Sequence, residues 1–436
     1  MTLIKNALIV TMNQHDAIIK SDILIRDGLI KALGKFRGAR EEVVDARGLV
    51  VFPGFIQSHV HLNQTLFRNL VDDMPLMQWL KKNIWPMEAA HNARSIKAAA
   101  RLGLAELILS GTTTMVSMET VHHTEEVLKQ IAESGIRAIT GKAMMDAGRG
   151  VPALLKQKTG DALAESVELL EKWHGHDAGR IQYAFAPRFA VTSSRRLLEE
   201  TARLAREYQV AVHTHASETK EEVALVRKQF GTTNIQLFKQ VGLLESPLII
   251  AHGIYLTGTE RKLLQRHRSL LVHCPTTNLK LGSGIADIPL YQQEKLQIGL
   301  GSDGAPCNNN LDLLREMRLA ALLQKPKYGP GSMPAIRVVS MATRETAAAL
   351  GLADRVGSIE IGKEADLAIF DFNTIQTTPG SNPCSQLVYS AGRENLRHLL
   401  VRGRFLLRDG LLTGWDHQQI VREGRDQARK LLQRLQ

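Results

Sequence analysis

Short apolar runs alternate with amphipathic stretches through the middle of the chain. Each run has the length of one strand, and the stretches between them carry apolar residues three and four positions apart, as on one face of a helix. This alternation is typical of a parallel sheet whose strands are connected by helices. The runs lie at 51–62, 112–118, 136–144, 181–188, 210–217, 248–254, 270–277 and 297–303. Eight such strands predict an α/β fold, a (β/α)8 TIM-like barrel, with its active site at the carboxyl ends of the strands.

The two ends of the chain follow a different pattern. Both contain short β-rich segments punctuated by Asp-Gly turns, at Asp27-Gly28 and at Asp409-Gly410. The simplest organisation is one small β-sandwich domain assembled from both termini. The sequence thus predicts a β-sandwich domain from 1–50 and 360–415, a barrel domain at 51–359 and a C-terminal helix at 416–436.

The net charge of +11 does not indicate a nucleic-acid partner. Lysine and arginine are scattered, acids are interspersed in the densest basic stretch, 422–434, and aromatic residues make up only 5% of the chain, too few for base stacking. The three cysteines, Cys274, Cys307 and Cys384, form no CxxC pair, which favours a reducing compartment, and we expect the cytoplasm. No window approaches the roughly 18 apolar residues of a membrane span, so we expect no membrane partner.

Candidate metal ligands lie where the predicted strands end. The first run ends with His59 and His61, two residues apart and therefore on the same face of a strand. The fifth run ends at His215 and the eighth at Asp303. Three imidazoles and one carboxylate suit zinc, with ferrous iron as the alternative, whereas magnesium and calcium prefer oxygen ligands.

The fourth run, 181–188, contains no lysine. Two-metal barrel hydrolases usually bridge their ions with a carboxylated lysine from this strand, so the sequence predicts one divalent ion. His213 and His273, on the fifth and seventh runs, are interpreted as hydrogen-bonded histidines of the core.

Three side chains are predicted to perform the chemistry beside the ion. An ion of this kind lowers the pKa of a bound water to about 7 and so supplies a hydroxide nucleophile. Asp303 can take the water's proton, Glu218 can carry a proton to a ring nitrogen, and His252, at the end of the sixth run, can hydrogen-bond the attacking hydroxide. These parts predict hydrolytic displacement of an amine from an amidine-like ring carbon. The complete ligand set argues against a non-enzymatic scaffold.

Several segments resemble the mononuclear deaminase branch of the amidohydrolase superfamily, which includes deaminases of adenosine derivatives, guanine deaminase and s-triazine hydrolases. The segments are PGFIQSHVHLNQTLFR (53–68), HASE (215–218), AHGIYL (251–256), HCPTTNLKLGSGIA (273–286), GSDGAPCNNNLDLLREMRLAALLQK (301–325) and GSIEIGKEADLAIFD (357–371). The resemblance implies the same four metal ligands, with Glu218 and His252 as catalytic residues. It also implies a small-molecule purine or purine nucleoside substrate and a homo-oligomer.

The substrate is less sharply defined. The resemblance is strongest to deaminases of 5′-substituted adenosines, such as 5′-deoxyadenosine, methylthioadenosine and S-adenosylhomocysteine, and it implies that Glu88 holds the ribose hydroxyls. Helix capping or a salt bridge is the alternative for Glu88. Arg188 and Gln64 are similar to guanine-deaminase residues that read the purine edge, although Arg188 could instead form an ion pair at the barrel rim and Gln64 could bond a loop. Guanine, a pterin or an s-triazine is therefore the alternative substrate.

Overall fold

The computed structural model describes residues 1–36 and 42–435. Its centre is a ring of parallel strands that pair in sequence order. These strands are β6 (Phe55–His61), β7 (Thr112–Glu119), β8 (Arg137–Met144), β9 (Ile181–Pro187), β10 (Ala211–Ala216), β11 (Leu248–His252), β12 (Leu270–His273), β13 (Gln297–Leu300) and β14 (Asp303–Gly304). The eighth predicted run is split, since β13 pairs with β12 while β14 pairs back to β6. This pairing closes the ring and confirms the predicted barrel.

The barrel strands do not alternate strictly between apolar and polar positions, because they are covered on both faces. Every residue of β6, β7, β8, β11 and β12 is buried. Gly141 lies where β8 and β9 approach closely, since a Cβ there would lie 1.8 Å from the carbonyl oxygen of Ala184 on β9. Only glycine allows β8 and β9 to pair at that point.

Helices surround the ring and connect its strands. The bounds are α1 (Leu76–Trp79), α2 (Trp85–Ala89), α3 (Ala93–Leu109), α4 (Thr124–Ser134), α5 (Thr159–Trp173), α6 (His176–Gly179), α7 (Arg195–Glu207), α8 (Lys220–Phe230), α9 (Asn234–Gln240), α10 (Gly258–Arg266), α11 (Pro275–Lys280), α12 (Ile288–Gln293), α13 (Ala305–Asn308), α14 (Leu313–Leu323), α15 (Lys325–Tyr328), α16 (Ala335–Met341), α17 (Arg344–Ala349), α18 (Pro383–Ser385) and α19 (His417–Gln433). A π-helical turn, Leu80–Ile84, joins α1 to α2. Residues 76–89 therefore form one helical segment, which we name the covering helix.

The two ends of the chain combine in a second, mixed sheet, as predicted. Its strands are β1 (Thr2–Val10), β2 (Ile18–Arg26), β3 (Leu29–Gly34), β4 (Glu42–Asp45), β5 (Leu49–Pro53), β15 (Leu367–Asp371), β16 (Leu396–Val401), β17 (Arg404–Arg408) and β18 (Leu411–Leu412). The antiparallel pair β5 and β15 joins the N-terminal strands to the C-terminal ones. A separate core that includes Ile4, Ile23, Val51 and Ile369 stabilises this sheet. The last helix, α19, packs on α3 of the barrel.

Within the described part of the chain, none of the helices is both long enough and apolar enough to cross a membrane.

Candidate metal centre and active site

The four predicted metal ligands converge at the carboxyl end of the barrel. Asp303 Oδ1 lies 3.3 Å from His59 Nε2 and 3.4 Å from His61 Nε2. His215 Nε2 lies 3.2 Å from His61 Nε2. One ligand atom from each side chain falls within 4.8 Å of the others, and all four residues are buried. These distances suit coordination of a single ion by four protein ligands.

Backbone carbonyls fix the orientation of two of these imidazoles. His61 Nδ1 lies 2.8 Å from the carbonyl oxygen of Met118, and His215 Nδ1 lies 2.8 Å from that of Arg188. A carbonyl oxygen can only accept, so each Nδ1 carries the proton and each Nε2 keeps its lone pair. Hydrogen bonds of this kind commonly orient histidines that bind metals.

A third histidine supports His59 from below. His59 Nδ1 lies 2.8 Å from His213 Nε2, and His59 Nε2 has no hydrogen-bond partner among the described residues. His213 is thus a hydrogen-bonded core histidine, as interpreted from the sequence. For His273 that interpretation is wrong, since neither of its ring nitrogens has a partner in the described part of the chain. Burial lowers the pKa of His273 to about 3, so its ring stays neutral, the form that is least costly to bury.

The charge states also suit a divalent ion. Burial lowers the pKa of His61 to about 4 and lowers that of His215 well below its usual value, so both rings are neutral. Burial opposes ionisation of Asp303, but the close contact with His59 and the nearby His61 and His252 hold the pKa of Asp303 well below its usual range. An unpartnered Nε2, further neutral imidazoles and one carboxylate form a donor set that fits zinc or ferrous iron.

Unusual backbone conformations aim three residues of the site. Ser217, His252 and Asp303 have φ values of 54°, 73° and 63°, in the left-handed region that non-glycine residues seldom adopt. All three lie at or just after the carboxyl end of a barrel strand. Each such conformation costs on the order of 1–3 kcal/mol, and such costs concentrate at functional sites.

Glu218 and His252 lie next to the ligand cluster. His252 Nε2 is 3.5 Å from Glu218 Oε2 and 3.9 Å from Asp303 Oδ2. Burial raises the pKa of Glu218 to about 7; the neighbouring His252 counteracts this, whereas Asp303 adds to it. A carboxyl group with a pKa near 7 is suited to carry a proton in either direction at neutral pH.

The sequence did not single out the partners of these two side chains. His252 Nδ1 lies 2.9 Å from Asn278 Oδ1, and the Ser283 hydroxyl donates to Glu218 Oε1 at 3.2 Å. Both partners belong to the segment that follows β12. Their signals in the sequence are their position after a strand end and their place in the segment HCPTTNLKLGSGIA (273–286).

Glu88 and Arg188 form a buried ion pair, the alternative role left open for both. The two guanidinium Nη atoms each donate to one carboxylate oxygen, Nη2 to Oε1 at 3.1 Å and Nη1 to Oε2 at closer range. Oε1 also accepts from Gln64 Nε2 at 2.9 Å and from Asn63 Nδ2 at 3.2 Å. Burial opposes ionisation of Glu88, but Arg188 and Gln64 keep its pKa below the usual value. Glu88 is therefore a carboxylate whose oxygens are already extensively bonded.

The cavity above the ligand cluster is small. It has a volume of about 20 Å³, room for about one water molecule. Its lining consists of His61, Gln64, Leu76, Trp79, Leu80, Arg188, Phe189, His215, Glu218, His252, Leu281 and Asp303. Three of these residues belong to the covering helix, which closes the site. Gln64 and Arg188 face the cavity, while Glu88 is not part of its lining.

The sequence from residue 50 to 406 matches the model of the amidohydrolase family. The chain belongs to the amidohydrolase family. Two relatives match it over nearly their whole length. This amidohydrolase is 37% identical over 434 residues to 5′-deoxyadenosine deaminase of Methanobrevibacter smithii, covering 98% of each chain. It is also 37% identical over 421 residues to 5-methylthioadenosine/S-adenosylhomocysteine deaminase of Pyrococcus furiosus, covering 96% of this chain and 98% of the relative.

Solved structures share the complete fold of this amidohydrolase. An adenosine deaminase from Xanthomonas campestris with bound zinc superposes with a TM-score of 0.92 at 30% identity, covering 99% of this chain and 98% of the other. Guanine deaminase from E. coli superposes with a TM-score of 0.85 at 27% identity, covering 94% and 100% of the two chains. The predicted family and its barrel fold are therefore confirmed.

Proposed function

We propose that this amidohydrolase is a metal-dependent hydrolytic deaminase of an aminopurine, with a 5′-substituted adenosine as substrate. The candidates are 5′-deoxyadenosine, methylthioadenosine and S-adenosylhomocysteine, each giving the inosine product and ammonia. The observation that carries the proposal is the convergence of His59, His61, His215 and Asp303 beside Glu218 and His252. The names of the full-length relatives support deamination and this substrate class.

The chain's own side chains account for the proton movements that this reaction needs. His59, His61, His215 and Asp303 would hold the ion, which would supply an activated water for attack on the amino-bearing ring carbon. Asp303 is ionised and can accept a proton from that water through Oδ2. Glu218, with its pKa near 7, can donate a proton to the adjacent ring nitrogen and later help to protonate the departing amine. His252 Nε2 can accept a hydrogen bond from the attacking water.

Guanine is a second candidate because of what faces the cavity. Gln64 and Arg188 line it, and their side chains can bond the oxygen and nitrogen edge of a purine base. Glu88 lies behind them and already accepts from both, so it has little capacity left for ribose hydroxyls. A base without a ribose would suit this arrangement.

Ultraviolet spectra of parallel reactions distinguish the two candidates. Purified, metal-loaded protein is incubated with 5′-deoxyadenosine in one cuvette and with guanine in another. Conversion of the adenine spectrum to the hypoxanthine spectrum, with no change in the guanine cuvette, is the expected result. Conversion of guanine alone would mean that the substrate is the free base guanine and not a nucleoside. Arg188 and Gln64 would then be the residues that bind the purine edge. No ammonia from any aminopurine or adenosine derivative would refute the proposal.

We further propose one zinc ion per chain, with iron as the alternative. No lysine lies on β9 to bridge a second ion, and among the described residues one cluster of four ligand atoms converges here. Elemental analysis of the purified protein should give one metal per chain, and a chelator should abolish turnover until zinc is restored. Two metals per chain would contradict this ligand set.

We also propose that the protein works as a homo-oligomer in the cytoplasm. Its three cysteines are buried free thiols, which suits a reducing compartment. Light scattering of the metal-loaded protein measures the oligomeric state, and a monomer at micromolar concentration would contradict this part of the proposal.

A further inference from the structure

One loop contacts both Glu218 and His252, the two proposed catalytic side chains that are not metal ligands. It comprises residues 274–284, between β12 and α12, and we name it the orienting loop. Asn278 and Ser283, both almost fully buried, supply the two contacts. Neither residue is a metal ligand, and neither lines the cavity above the ligands. Their side chains therefore reach the reaction only through His252 and Glu218.

The contact from Asn278 selects one tautomer of His252. Asn278 Oδ1 lies 2.9 Å from His252 Nδ1, and an amide oxygen can only accept. Nδ1 must therefore carry a proton. The lone pair of the neutral ring is then on Nε2, the nitrogen that faces Glu218 and Asp303. With the amide turned the other way, or absent, the ring could place its lone pair on the side away from the substrate.

The contact from Ser283 determines which carboxyl oxygen of Glu218 faces His252 and the reacting atoms. The Ser283 hydroxyl donates to Oε1 at 3.2 Å, while Oε2 is the oxygen near His252. The loop couples the two contacts, because the Ser283 amide donates to the Asn278 carbonyl at 2.8 Å. Tyr255 adds support, since its hydroxyl donates to the Ser283 carbonyl at 2.7 Å.

We propose that Asn278 and Ser283 are positioning residues, which hold His252 with its lone pair on Nε2 and Glu218 with Oε2 toward the reacting atoms. In other enzymes a carboxylate orients a catalytic imidazole by accepting a hydrogen bond from the ring nitrogen that does not contact the substrate. Asn278 does the same for His252 by bonding Nδ1. Ser283 plays the corresponding role for Glu218. The kinetic test of this inference rests on the proposed deaminase function, but its spectroscopic test does not.

The kinetic test compares two substitutions of Asn278 with a control in the same loop. Asn278→Leu removes the acceptor at similar volume, and Asn278→Asp retains an acceptor. We expect the leucine variant to lower kcat about 10- to 100-fold, a usual loss when an orienting partner is removed, with KM and metal content little changed. The aspartate variant should recover most of this loss.

Thr276→Ala is the matched control. Thr276 lies on the same helix, α11, but its hydroxyl donates to Glu316 at 2.6 Å rather than to a side chain of the site. We expect its kcat to stay within about twofold of the wild type, since no interaction made in the transition state is lost. An equal loss of kcat in Thr276→Ala and Asn278→Leu would mean that the loop matters only for packing, and would overturn the proposal.

The spectroscopic test uses the tautomer itself. Nitrogen-15 spectra of histidine-labelled, zinc-loaded protein separate protonated from unprotonated ring nitrogens, and a His252→Asn variant identifies the signals of His252. The proposal expects a protonated Nδ1 in the wild type and in Asn278→Asp, and loss of this single tautomer in Asn278→Leu. A His252 ring that is protonated only on Nε2 in the wild type would overturn it, whether or not the protein deaminates any purine.

Discussion

Glu218 is a buried carboxyl group with one oxygen on Ser283 and the other near His252. Replacing it by glutamine keeps its size but removes the proton that it can deliver. We expect Glu218→Gln to lower kcat by about 10²- to 10⁴-fold, the usual contribution of a positioned acid or base. The zinc content should not change, because Glu218 is not among the four ligands. Full turnover in the variant would show that another group delivers the proton.

Glu222 on α8 is expected to make the free energy of unfolding depend on pH. Burial raises the pKa of this carboxyl group from 4.5 to about 8, although Asn234 donates to it and lowers the pKa somewhat. Because the folded-state pKa lies above the unfolded value, the stability that it contributes is complete below pH 4.5 and is lost as the pH rises toward 8. Glu222→Gln does not titrate. Relative to the wild type, its free energy of unfolding should therefore increase between pH 5 and pH 8, by at most about 4 kcal/mol.

Urea unfolding of both proteins at pH 5, 6.5 and 8 measures this difference. The exposed neighbour Glu221 provides the control, as Glu221→Gln should track the wild type at every pH. Parallel curves for Glu222→Gln and the wild type would show that Glu222 ionises in the folded protein as it does in the unfolded chain.

At the scale of elements, the covering helix is the part of the site that must move. A cavity of about 20 Å³ cannot hold a purine, since ligand sites usually occupy about 300–1,000 Å³. Trp79 closes the cavity, and the π-helical turn at Leu80–Ile84 follows it. Such turns are frequent at functional sites. On the opposite side of the helix, Met77, Lys81 and Trp85 line an open groove of about 520 Å³, which leaves room for displacement.

We therefore expect product binding to change the tryptophan fluorescence of the protein. Adding 5′-deoxyinosine to metal-loaded protein should shift the emission, and Trp79→Phe should remove most of the shift. Trp415→Phe is the control, because Trp415 lies by the C-terminal strands, bonded to Glu133. A shift that survives in Trp79→Phe would mean that the substrate enters without displacing this end of the covering helix.

The elements that could be predicted from the sequence are those with a periodic pattern. The barrel strands are short segments enriched in apolar residues between helical stretches, and the ligands His59 and His61 sit at the end of such a segment. The covering helix has no comparable pattern, since it is short, carries Lys81 and Lys82 in its π-helical turn and contains Pro86 in its last turn. Asn278 was missed because its contact with His252 depends on how a loop folds back, which no local pattern encodes.

The ion pair between Glu88 and Arg188 is another contact that no local sequence pattern predicts. Each residue was recognised by itself, with a salt bridge as one of its alternatives. They are 100 positions apart in the chain, and only the packing of the covering helix against the end of β9 makes them partners. Whether such a side chain can bind the substrate depends on its partner in the folded structure, and that partner lies far away in the sequence.

At the scale of the whole molecule, one buried arginine joins the barrel to the mixed sheet. Arg137 begins β8, and its Nη2 donates to Asp366 Oδ2 at 3.0 Å, just before β15. Arg137 also contacts Glu364, and both Arg137 and Asp366 are almost fully buried. Removal of one member of such a pair leaves the other as an uncompensated buried charge, which typically costs about 3–5 kcal/mol.

Arg137→Leu should therefore lower the free energy of unfolding by about 3–5 kcal/mol, measured by urea unfolding of the zinc-loaded protein. Its turnover per folded molecule should be retained, because Arg137 lies at the amino end of β8 and the metal ligands lie at the carboxyl ends of the strands. Arg355→Ala, which removes a partly exposed partner of Glu364, should cost less than about 1 kcal/mol. Equal losses in the two variants would mean that Asp366 does not depend on Arg137, and that apolar packing alone holds the sheet on the barrel.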